Sequence, residues 1–352
     1  MKTNKFLIGF LLQATVCSSG LHAQTDLHAN AYSIIQDAVT DIVCTSPTDA
    51  IQKEKRVIQI LDGKGKGDAS FVCMCDRFSS LKKFSGEVRD ASGNVIRKIK
   101  KSELKVTEYS DELVSDDYYY FFEYTPSRYP ITITYEWEIK NSDGLIGYPS
   151  FLPQKNYNQS VAQASYRILT PADNPCRYRT INMQAEVSQK QTTDGNWLTE
   201  VKVQSLPAIQ KEPYSPALSE LLPRIYFTPR NFSFEGTKGS MDNWQTYGAW
   251  QYQLLSGRDQ IPPALKEELQ RRTANCNTPY EKIAAVYQYL ASTTRYVSIQ
   301  LGIGGLQPIA AADVHRTGFG DCKGLSNYMR AMLTELGIPS TYTVISLSLI
   351  HI

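Results

Sequence analysis

The chain lacks any marked excess of charge and, after its first residues, any long apolar run. Its 37 lysines and arginines are balanced by 35 aspartates and glutamates, so the composition gives no reason to expect binding to nucleic acid or to an acidic membrane surface. No stretch beyond Val16 approaches the roughly 20 apolar residues that a membrane-spanning helix needs. We therefore predict no transmembrane segment in the mature chain and no nucleic-acid partner.

Patterns typical of metal centres and of repeat proteins are also missing. The chain has seven cysteines, but its one close pair is Cys73 and Cys75, and their spacing is one residue tighter than zinc and redox motifs use. We predict that these two are strand residues that face opposite ways. There is no internal repeat and no low-complexity tract. We expect neither a metal nor an organic cofactor.

Residues 1–23 have the features of a secretory signal peptide. Lys2 and Lys5 precede an almost unbroken apolar run over residues 6–16, which is too short to span a bilayer, and Ala23 is a small residue before the expected cleavage point. The alternatives are a lipoprotein anchored at Cys17 and a buried N-terminal helix. The pattern predicts an exported protein of the periplasm or cell envelope of a bacterium.

Residues 57–203 have the sequence pattern of an all-β domain. Short runs of β-branched and aromatic residues, such as residues 118–124, are separated by turn signals. Two tight hairpin turns are predicted, at residues 91–94 and 194–196, because Gly and Asn tolerate the positive φ that such turns require. We predict a β-sandwich-like domain over residues 24–205.

A change of pattern follows the predicted β domain. Five prolines lie between residues 206 and 234, which is too many for regular structure, so this stretch is predicted to be an extended connector. The apolar period then becomes that of a helix over residues 244–255. We therefore predict a connector that includes one helix over residues 206–257.

Helical signals continue beyond the connector. One segment begins at Pro263, and another begins at Thr278, Pro279 and Glu281. Threonine can cap free amides, proline suits the first helical position, and glutamate closes the capping box. The residues predicted to share one face of this second helix are Ile283, Val286, Tyr287 and Leu290.

The most informative segment is a glycine-rich loop that runs into a helix between residues 318 and 339. Asp321 is a plausible N-cap, which places Cys322 in the first turn. Gly337 suits the helix end and Pro339 prevents its continuation. The apolar stripe of this helix is predicted to be Leu325, Met329, Met332 and Leu336.

The position of Cys322 has a chemical consequence. The reactive form of cysteine is the thiolate, and the free amides and partial positive charge of a helix N-terminus favour that anion, so a lowered thiol pKa is expected. The same amides are suitably placed to hold an oxyanion. Lys323 is predicted to be a solvated surface residue. The alternative is that Cys322 is a small buried hydrophobe, as free cysteines often are.

Two sets of residues resemble the transglutaminase-like superfamily. Its nucleophile helix is similar to the segment Gly320-Asp321-Cys322-Lys323, continued by Leu325-Ser326 and Leu336-Gly337-Ile338-Pro339. The lead-in of its bacterial envelope members is similar to Arg295-Tyr296-Val297-Ser298-Ile299, Gly304-Gly305 and Gln307-Pro308. The resemblance implies an α+β transglutaminase/papain-like core over residues 258–346, preceded by an all-β domain of uncharacterised function, with Cys322 as the catalytic nucleophile. Gly324 departs from the family, in which an acidic residue is usual.

The resemblance also implies a histidine base on a strand after the nucleophile helix and an acidic partner on the next strand. Residues 341–345 are predicted to form the first of these strands. His315 precedes Cys322 and is predicted to be an ordinary polar loop residue. His351 lies in residues 347–352, which match the translation of a transposon end used in sequencing libraries and are predicted to be an adaptor scar. The core is therefore expected to be incomplete.

These features predict a cell-envelope thiol acyl-transfer enzyme that acts on a protein or peptide substrate. Cys322 would attack an amide carbonyl and form a thioester; transfer to water makes a peptidase or amidase, and transfer to an amine makes a cross-linking transglutaminase. The alternative is a noncatalytic exported module, in which a tyrosine-rich β domain binds protein or glycan and the core serves as a scaffold.

Overall fold

A computed structural model describes residues 26–108 and 114–345. The predicted signal peptide at residues 1–23 and the predicted adaptor scar at residues 347–352, with His351, lie outside the described residues.

Strands dominate the chain up to residue 206. They are β1 (Ser33–Cys44), β2 (Ala50–Ile60), β3 (Phe71–Cys75), β4 (Ser79–Arg89), β5 (Val95–Lys100), β6 (Lys105–Glu108), β7 (Val114–Ser115), β8 (Tyr118–Phe122), β9 (Ile131–Asn141), β10 (Tyr148–Phe151), β11 (Gln159–Thr170), β12 (Arg177–Ile181), β13 (Val187–Gln191) and β14 (Trp197–Leu206). Two 3₁₀ helices, Gly63–Ala69 and Lys101–Glu103, interrupt them.

Helices alternate with short strands in the rest of the chain. These elements are α1 (Leu218–Leu221), β15 (Arg224–Thr228), β16 (Asn231–Phe234), β17 (Thr237–Ser240), α2 (Trp244–Leu254), α3 (Pro263–Thr273), α4 (Pro279–Thr293), β18 (Arg295–Tyr296), β19 (Ile299–Gln300), α5 (Ala311–Thr317), β20 (Phe319–Gly320) and α6 (Cys322–Glu335), with a 3₁₀ helix at Gly302–Gly305 before α5. None of the helices in the described residues is long and apolar enough to cross a membrane.

The first part of the chain is built on one large sheet whose strand order is β13-β14-β11-β1-β2-β9-β4-β5. β1 and β11 are parallel, and the other neighbours are antiparallel. Two three-stranded sheets, β3-β8-β6 and β10-β15-β12, pack on this large sheet. Phe71 of β3 meets Trp137 of β9 with ring centroids 5.2 Å apart, and Tyr166 of β11 stacks on Phe227 of β15 at 4.3 Å. A mostly-β, layered first domain followed by a core of helices and short strands confirms the predicted fold class.

Both predicted hairpins are present. β4 and β5 are joined by a turn that contains Gly93 with φ of 86°, and β13 and β14 by a turn that contains Gly195 with φ of 82°. Positive φ at these two positions explains why glycine stands there.

The predicted orientation of Cys73 and Cys75 is wrong. Both side chains are buried on the same face of β3, while Met74 between them is exposed. Successive side chains of a strand alternate between its faces, so residues two apart share one face.

The proline-rich stretch is more regular than predicted. It contains β15, which lies between β10 and β12 in a sheet of the β domain, and Ile225 and Phe227 of that strand belong to the main hydrophobic core. The prolines flank β15 instead of interrupting it, so they leave its ladder hydrogen bonds intact. The part of the stretch without regular structure is residues 207–217, before α1.

The predicted helices are present as α2, α3, α4 and α6. The Thr278 side chain accepts a hydrogen bond from the Glu281 amide, and Glu281 completes the capping box of α4. α3 to α6 share a second core, in which Leu269, Val286, Val314 and Met332 are almost fully buried. Tyr287, predicted on the apolar face of α4, is exposed, and Tyr289 takes the buried position.

One further expectation about the core is wrong, and another holds only in part. The described residues 341–345 form no strand, because they pair with no other strand of the described chain. The face of α6 that is most buried carries Tyr328, Ala331 and Met332, so part of the predicted stripe, including Leu325 and Met329, is only partly buried.

Candidate active site

The start of α6 is fixed by Asp321, which is 2% exposed. Its carboxylate caps the helix by accepting a hydrogen bond from the Gly324 amide at 2.8 Å. Cys322 follows as the first helical residue. Of the six cysteines in the described residues, Cys322 alone is exposed; Cys276 is half-buried and the others are buried. The local sequence thus holds one accessible thiol at a helix N-terminus.

The first amides of α6 remain available for a ligand. In the described part of the chain, the N–H groups of Cys322 and Lys323 have no hydrogen-bond acceptor, because the Asp321 cap takes the amide of Gly324 instead. Free amides at a helix start carry the positive end of the helix dipole and attract an anion.

A short parallel strand pair brings Tyr296 to Cys322. β18 lies beside β20: the Arg295 amide donates to the Gly318 carbonyl at 2.9 Å, and the Val297 amide donates to the Gly320 carbonyl at 3.1 Å. The Tyr296 side chain lies beside Cys322, and both line the same groove. Desolvation of the hydroxyl, followed by the proximity of Cys322 and Asp321, raises the pKa of Tyr296.

Lys323 is not the solvated surface residue that was predicted. Its ammonium group pairs with the Asp321 carboxylate, and these side chains are 13% and 3% exposed. The ammonium also lies 3.5 Å from the Ile299 carbonyl oxygen. An uncompensated carboxylate next to Cys322 would oppose a thiolate, so this pair neutralises the charge that the helix cap introduces.

An open groove of about 690 Å³ runs beside Cys322. Its walls are largely apolar and aromatic, and they include Leu290, Leu325, Met329, Leu333 and Tyr342. The partly buried residues of α6 therefore form a wall of the groove instead of the centre of the core. Burial, followed by the proximity of Cys322 and Asp321, raises the pKa of Tyr342 to about 12.

His315 lies in α5 and not in a loop. Its Nδ1 is 3.1 Å from the hydroxyl of Tyr328, a buried residue of α6. Burial is the main cause of the raised pKa of Tyr328. Among the described residues His315 makes no hydrogen bond to Cys322, and its bond to Tyr328 joins α5 to α6. No group of three His, Cys, Asp or Glu side chains in the described chain is arranged to hold a metal ion.

Tyr296 and Tyr342 were not identified as site residues from the sequence. Tyr296 lies in the lead-in segment that resembles bacterial envelope proteins, which was the only signal for it. Its proximity to Cys322 depends on the pairing of β18 with β20. Strands of only two residues leave no recognisable pattern in a sequence, so this pairing could not be predicted.

An accessible thiol at the start of a helix, in a small α+β core behind a large β domain, is the arrangement of a transglutaminase-like protein. Comparison with family models agrees. Residues 50–210 match DUF3857, described as a domain of unknown function with a solved structure, and residues 267–347 match the transglutaminase-like superfamily core. The chain thus consists of a DUF3857 domain followed by a transglutaminase-like core.

Solved structures support the same fold. A protein of Parabacteroides distasonis ATCC 8503, named as a putative protease, superimposes with a TM-score of 0.63 at 14% identity. The match covers 88% of this chain and 59% of that one, so the present chain spans about three fifths of the Parabacteroides protein. An M1 zinc metallopeptidase from Deinococcus radiodurans matches over 87% of this chain and 63% of its own, at 9% identity. Its TM-score of 0.28 is too low to indicate a shared fold. No curated protein matches the chain.

Proposed function

We propose that this chain belongs to an exported bacterial enzyme of the thiol acyl-transfer class, with Cys322 as its nucleophile and a protein or peptide amide as its substrate. The observation that carries the proposal is the position of Cys322: an exposed thiol in the first turn of α6, beside an open groove and within the superfamily match. The five other cysteines of the described chain are at least partly buried.

The reaction follows from the groups around the sulfur. The Cys322 thiolate attacks an amide carbonyl carbon, a C–S bond forms, and the carbonyl oxygen becomes an oxyanion that the free amides of Cys322 and Lys323 can bind. The C–N bond then breaks, the amine leaves with a proton, and a thioester remains. Attack by water releases a carboxylic acid, and attack by an amine forms a new amide; either step returns the thiol.

The neighbours of Cys322 have separate roles in this proposal. Asp321 fixes the start of α6, and Lys323 compensates its charge. The Tyr296 hydroxyl stabilises the sulfur anion by donating a hydrogen bond to it. The general base is expected to be the histidine that the transglutaminase-like superfamily places on a strand after the nucleophile helix, because no described histidine hydrogen-bonds to Cys322.

The groove supports a peptide substrate. Its wall of leucine, methionine and tyrosine side chains suits the apolar or aromatic residue of a polypeptide beside the scissile amide.

Export is part of the proposal and has its own test. Residues 1–23 have the lysine-led apolar pattern of a signal peptide, so the mature chain should begin at Gln24 and reside in the periplasm or cell envelope. Mass spectrometry of the protein recovered from a bacterial periplasm checks the new N-terminus. A soluble cytoplasmic product that retains residues 1–23 would overturn the assignment.

Activity should be measured on the protein extended by its natural downstream sequence. We expect it to hydrolyse or cross-link a casein substrate, and Cys322→Ser to abolish this activity. Cys276→Ser, which removes a half-buried thiol, should leave it unchanged. A folded extended protein that is inactive, with a Cys322 no more reactive than an ordinary thiol, would favour the noncatalytic module instead.

A further inference from the structure

The inward-facing side of β2 carries polar residues at the centre of the β domain. Alternation along the strand points Gln52, Glu54, Arg56, Ile58 and Ile60 toward the small sheets that cover the large one. Ile58 and Ile60 are buried as this position requires, and Gln52 is only 6% exposed. The side chains of Glu54 and Arg56 are 12% and 25% exposed. Charged residues are rarely enclosed in this way.

These charges are an unfavourable choice for the stability of the fold. Moving a carboxylate and a guanidinium largely out of water is unfavourable, and apolar residues of similar volume often stabilise a core more. Glu54 and Arg56 are a loose pair, with Oε2 and Nη2 3.8 Å apart. Departures from the apolar pattern of this kind concentrate at functional sites.

A cavity of about 360 Å³ opens onto these residues. It lies between the large sheet, β3 and the loop at residues 152–159, and its volume is in the range of small-molecule sites. Phe71 and Trp137 supply apolar walls, and the Arg56 guanidinium lies 5.8 Å from the Trp137 ring centroid. Lys155, in the loop at residues 152–159, also lines the cavity.

The acidic groups of the cavity already have partners within the protein. Asp68 accepts hydrogen bonds from Ser33, Asn156 and Gln159, the last at 3.0 Å. Glu54 accepts a hydrogen bond from Gln52.

The basic groups of the cavity are less well satisfied. In the described chain the Lys155 ammonium has no hydrogen-bond or ion-pair partner, and Arg56 has, besides its contact with the Trp137 ring, only the loose ion pair with Glu54. The cavity is thus lined by two cations and two carboxylates beside aromatic walls, and its one ion pair, between Arg56 and Glu54, is 3.8 Å long.

We propose that this cavity binds a small carboxylate with an apolar body, of the kind found at the C-terminal residue of a peptide. The carboxylate lies between Arg56 and Lys155, and the apolar side chain packs against Phe71 and Trp137. This site belongs to the DUF3857 domain and does not depend on the chemistry of Cys322.

The electrostatic surroundings of Lys155 favour an anion beside it. The residue is exposed as a whole, yet desolvation, followed by the nearby Arg56 charge, lowers the pKa of Lys155 to about 8 against the opposing effect of Glu54. A bound carboxylate would relieve this repulsion and restore the charged form.

The test is a calorimetric titration of the full chain at pH 7 with three probes: N-acetyl-L-phenylalanine, its C-terminal amide, and free L-phenylalanine. We expect the acetylated acid to bind about tenfold or more tightly than the amide, because the amide lacks the charge that Arg56 and Lys155 recognise. The acetylated acid should bind at least as well as free phenylalanine, since Glu54 and Asp68 already accept hydrogen bonds within the protein. Equal binding of the acid and its amide, or no binding of either, would overturn the proposal. A clear preference for the free amino acid would overturn its peptide part.

Variants separate binding from folding. Lys155→Gln changes an exposed loop residue and should weaken the binding of N-acetyl-L-phenylalanine about tenfold without affecting the fold. Lys53→Gln, on the outward face of β2, is the matched control and should bind normally. The double variant Glu54→Leu/Arg56→Met should be at least as stable as the natural chain and fail to bind. If it unfolds, the pair is structural; if Lys155→Gln binds normally, the cavity is not the site. Either result contradicts the proposal.

Discussion

Three side chains define the immediate environment of Cys322. Asp321 fixes the helix start, Lys323 neutralises that carboxylate, and Tyr296 reaches the sulfur from a neighbouring strand. Each acts on a different requirement of a nucleophile: its position, the electrostatic potential around it, and a hydrogen bond to its charged form. They can therefore be tested separately.

Replacing Tyr296 by phenylalanine should slow the alkylation of Cys322. A hydrogen bond donated to an anion is lost, and at this exposed site we expect a loss of about 1 kcal/mol, or about fivefold in rate at neutral pH. The rate is measured by mass spectrometry of iodoacetamide-treated protein. Tyr287→Phe, a tyrosine of the same groove, is the control. Equal rates for the two variants would show that the Tyr296 hydroxyl does not influence the thiol.

Breaking the Asp321–Lys323 pair should destabilise the core more than removing it entirely. Lys323→Met leaves a buried carboxylate unpaired, which costs about 3 kcal/mol. In Asp321→Asn/Lys323→Met the charge is absent and asparagine still caps the helix, so most of that loss should be recovered. Urea unfolding measures the free energy of unfolding of both variants, and Lys82→Met, at an exposed position, is the control. A double variant as unstable as Lys323→Met would show that the pair is not the source of the effect.

The sequence identified some residues of the candidate site and missed others for a physical reason. Cys322 and the Asp321 cap are adjacent in the chain and carry a local signal. Tyr296 and the buried state of Lys323 depend on chain segments 20 or more residues away, namely β18 and the Ile299 carbonyl. Local patterns contain no information about such contacts.

The packing around the first turn of α6 shows that the helix accommodates Gly324, the position at which an acidic residue is usual in the resembling family. The glycine is buried in the first turn, and a Cβ atom there would lie 3.5 Å from both Asp321 Oδ1 and Ile309 Cβ, which is ordinary contact. The helix begins at Cys322 despite the glycine, so this position does not prevent the thiol from reaching its helix-terminal place.

Gly324→Ala should therefore stabilise the core by about 0.5 kcal/mol, because alanine loses less backbone entropy in a helix than glycine. Gly320→Ala is the contrasting variant, since its Cβ would lie 3.3 Å from Leu325 Cδ2 and 3.4 Å from the Leu325 amide nitrogen. Urea unfolding should show a gain for the first and a loss for the second. A loss of stability in Gly324→Ala would mean that the helix start has no room for a side chain.

The connector shows where element prediction from sequence fails. Capping boxes and tight turns are local, and α4 and both hairpins were predicted from them. β15 is held by β10 and β12, which lie far from it in sequence. The local pattern around β15 is dominated by its flanking prolines, so the sequence predicted no strand there. The same reasoning explains residues 341–345, which have a strand-like composition but pair with no strand of the described chain.

Limited proteolysis tests whether the stretch after β14 is extended throughout, as the sequence predicted, or contains the protected strand β15, as the structure has it. The first cuts should fall within residues 207–217, at Lys211 with trypsin or at the fully exposed Tyr214 with chymotrypsin, because exposed backbone without regular structure is cleaved first. Mass spectrometry of the early fragments locates the cuts. An early cut inside β15 would contradict its place in the sheet.

In the molecule as a whole, the β domain contacts the segment that leads to the candidate site. β7 pairs with β19, three residues after Tyr296. Glu235 accepts a hydrogen bond from the Ile303 amide at 2.9 Å and pairs with Arg77 of the β domain at 3.2 Å. The segment between β18 and α5 is thus held on one side by β20, the strand that precedes Cys322, and on the other by the β domain.

The central claim is that Cys322 is an activated nucleophile, and its rate of alkylation at neutral pH tests this most directly. Folded protein is treated with iodoacetamide at pH 7, and peptide mass spectrometry follows Cys322 and, in the same sample, the half-buried Cys276 and an added free cysteine derivative. The helix-terminal amides and the Tyr296 hydroxyl should make Cys322 react several times faster than both references. A Cys322 that reacts no faster than the free thiol in folded protein would contradict the claim.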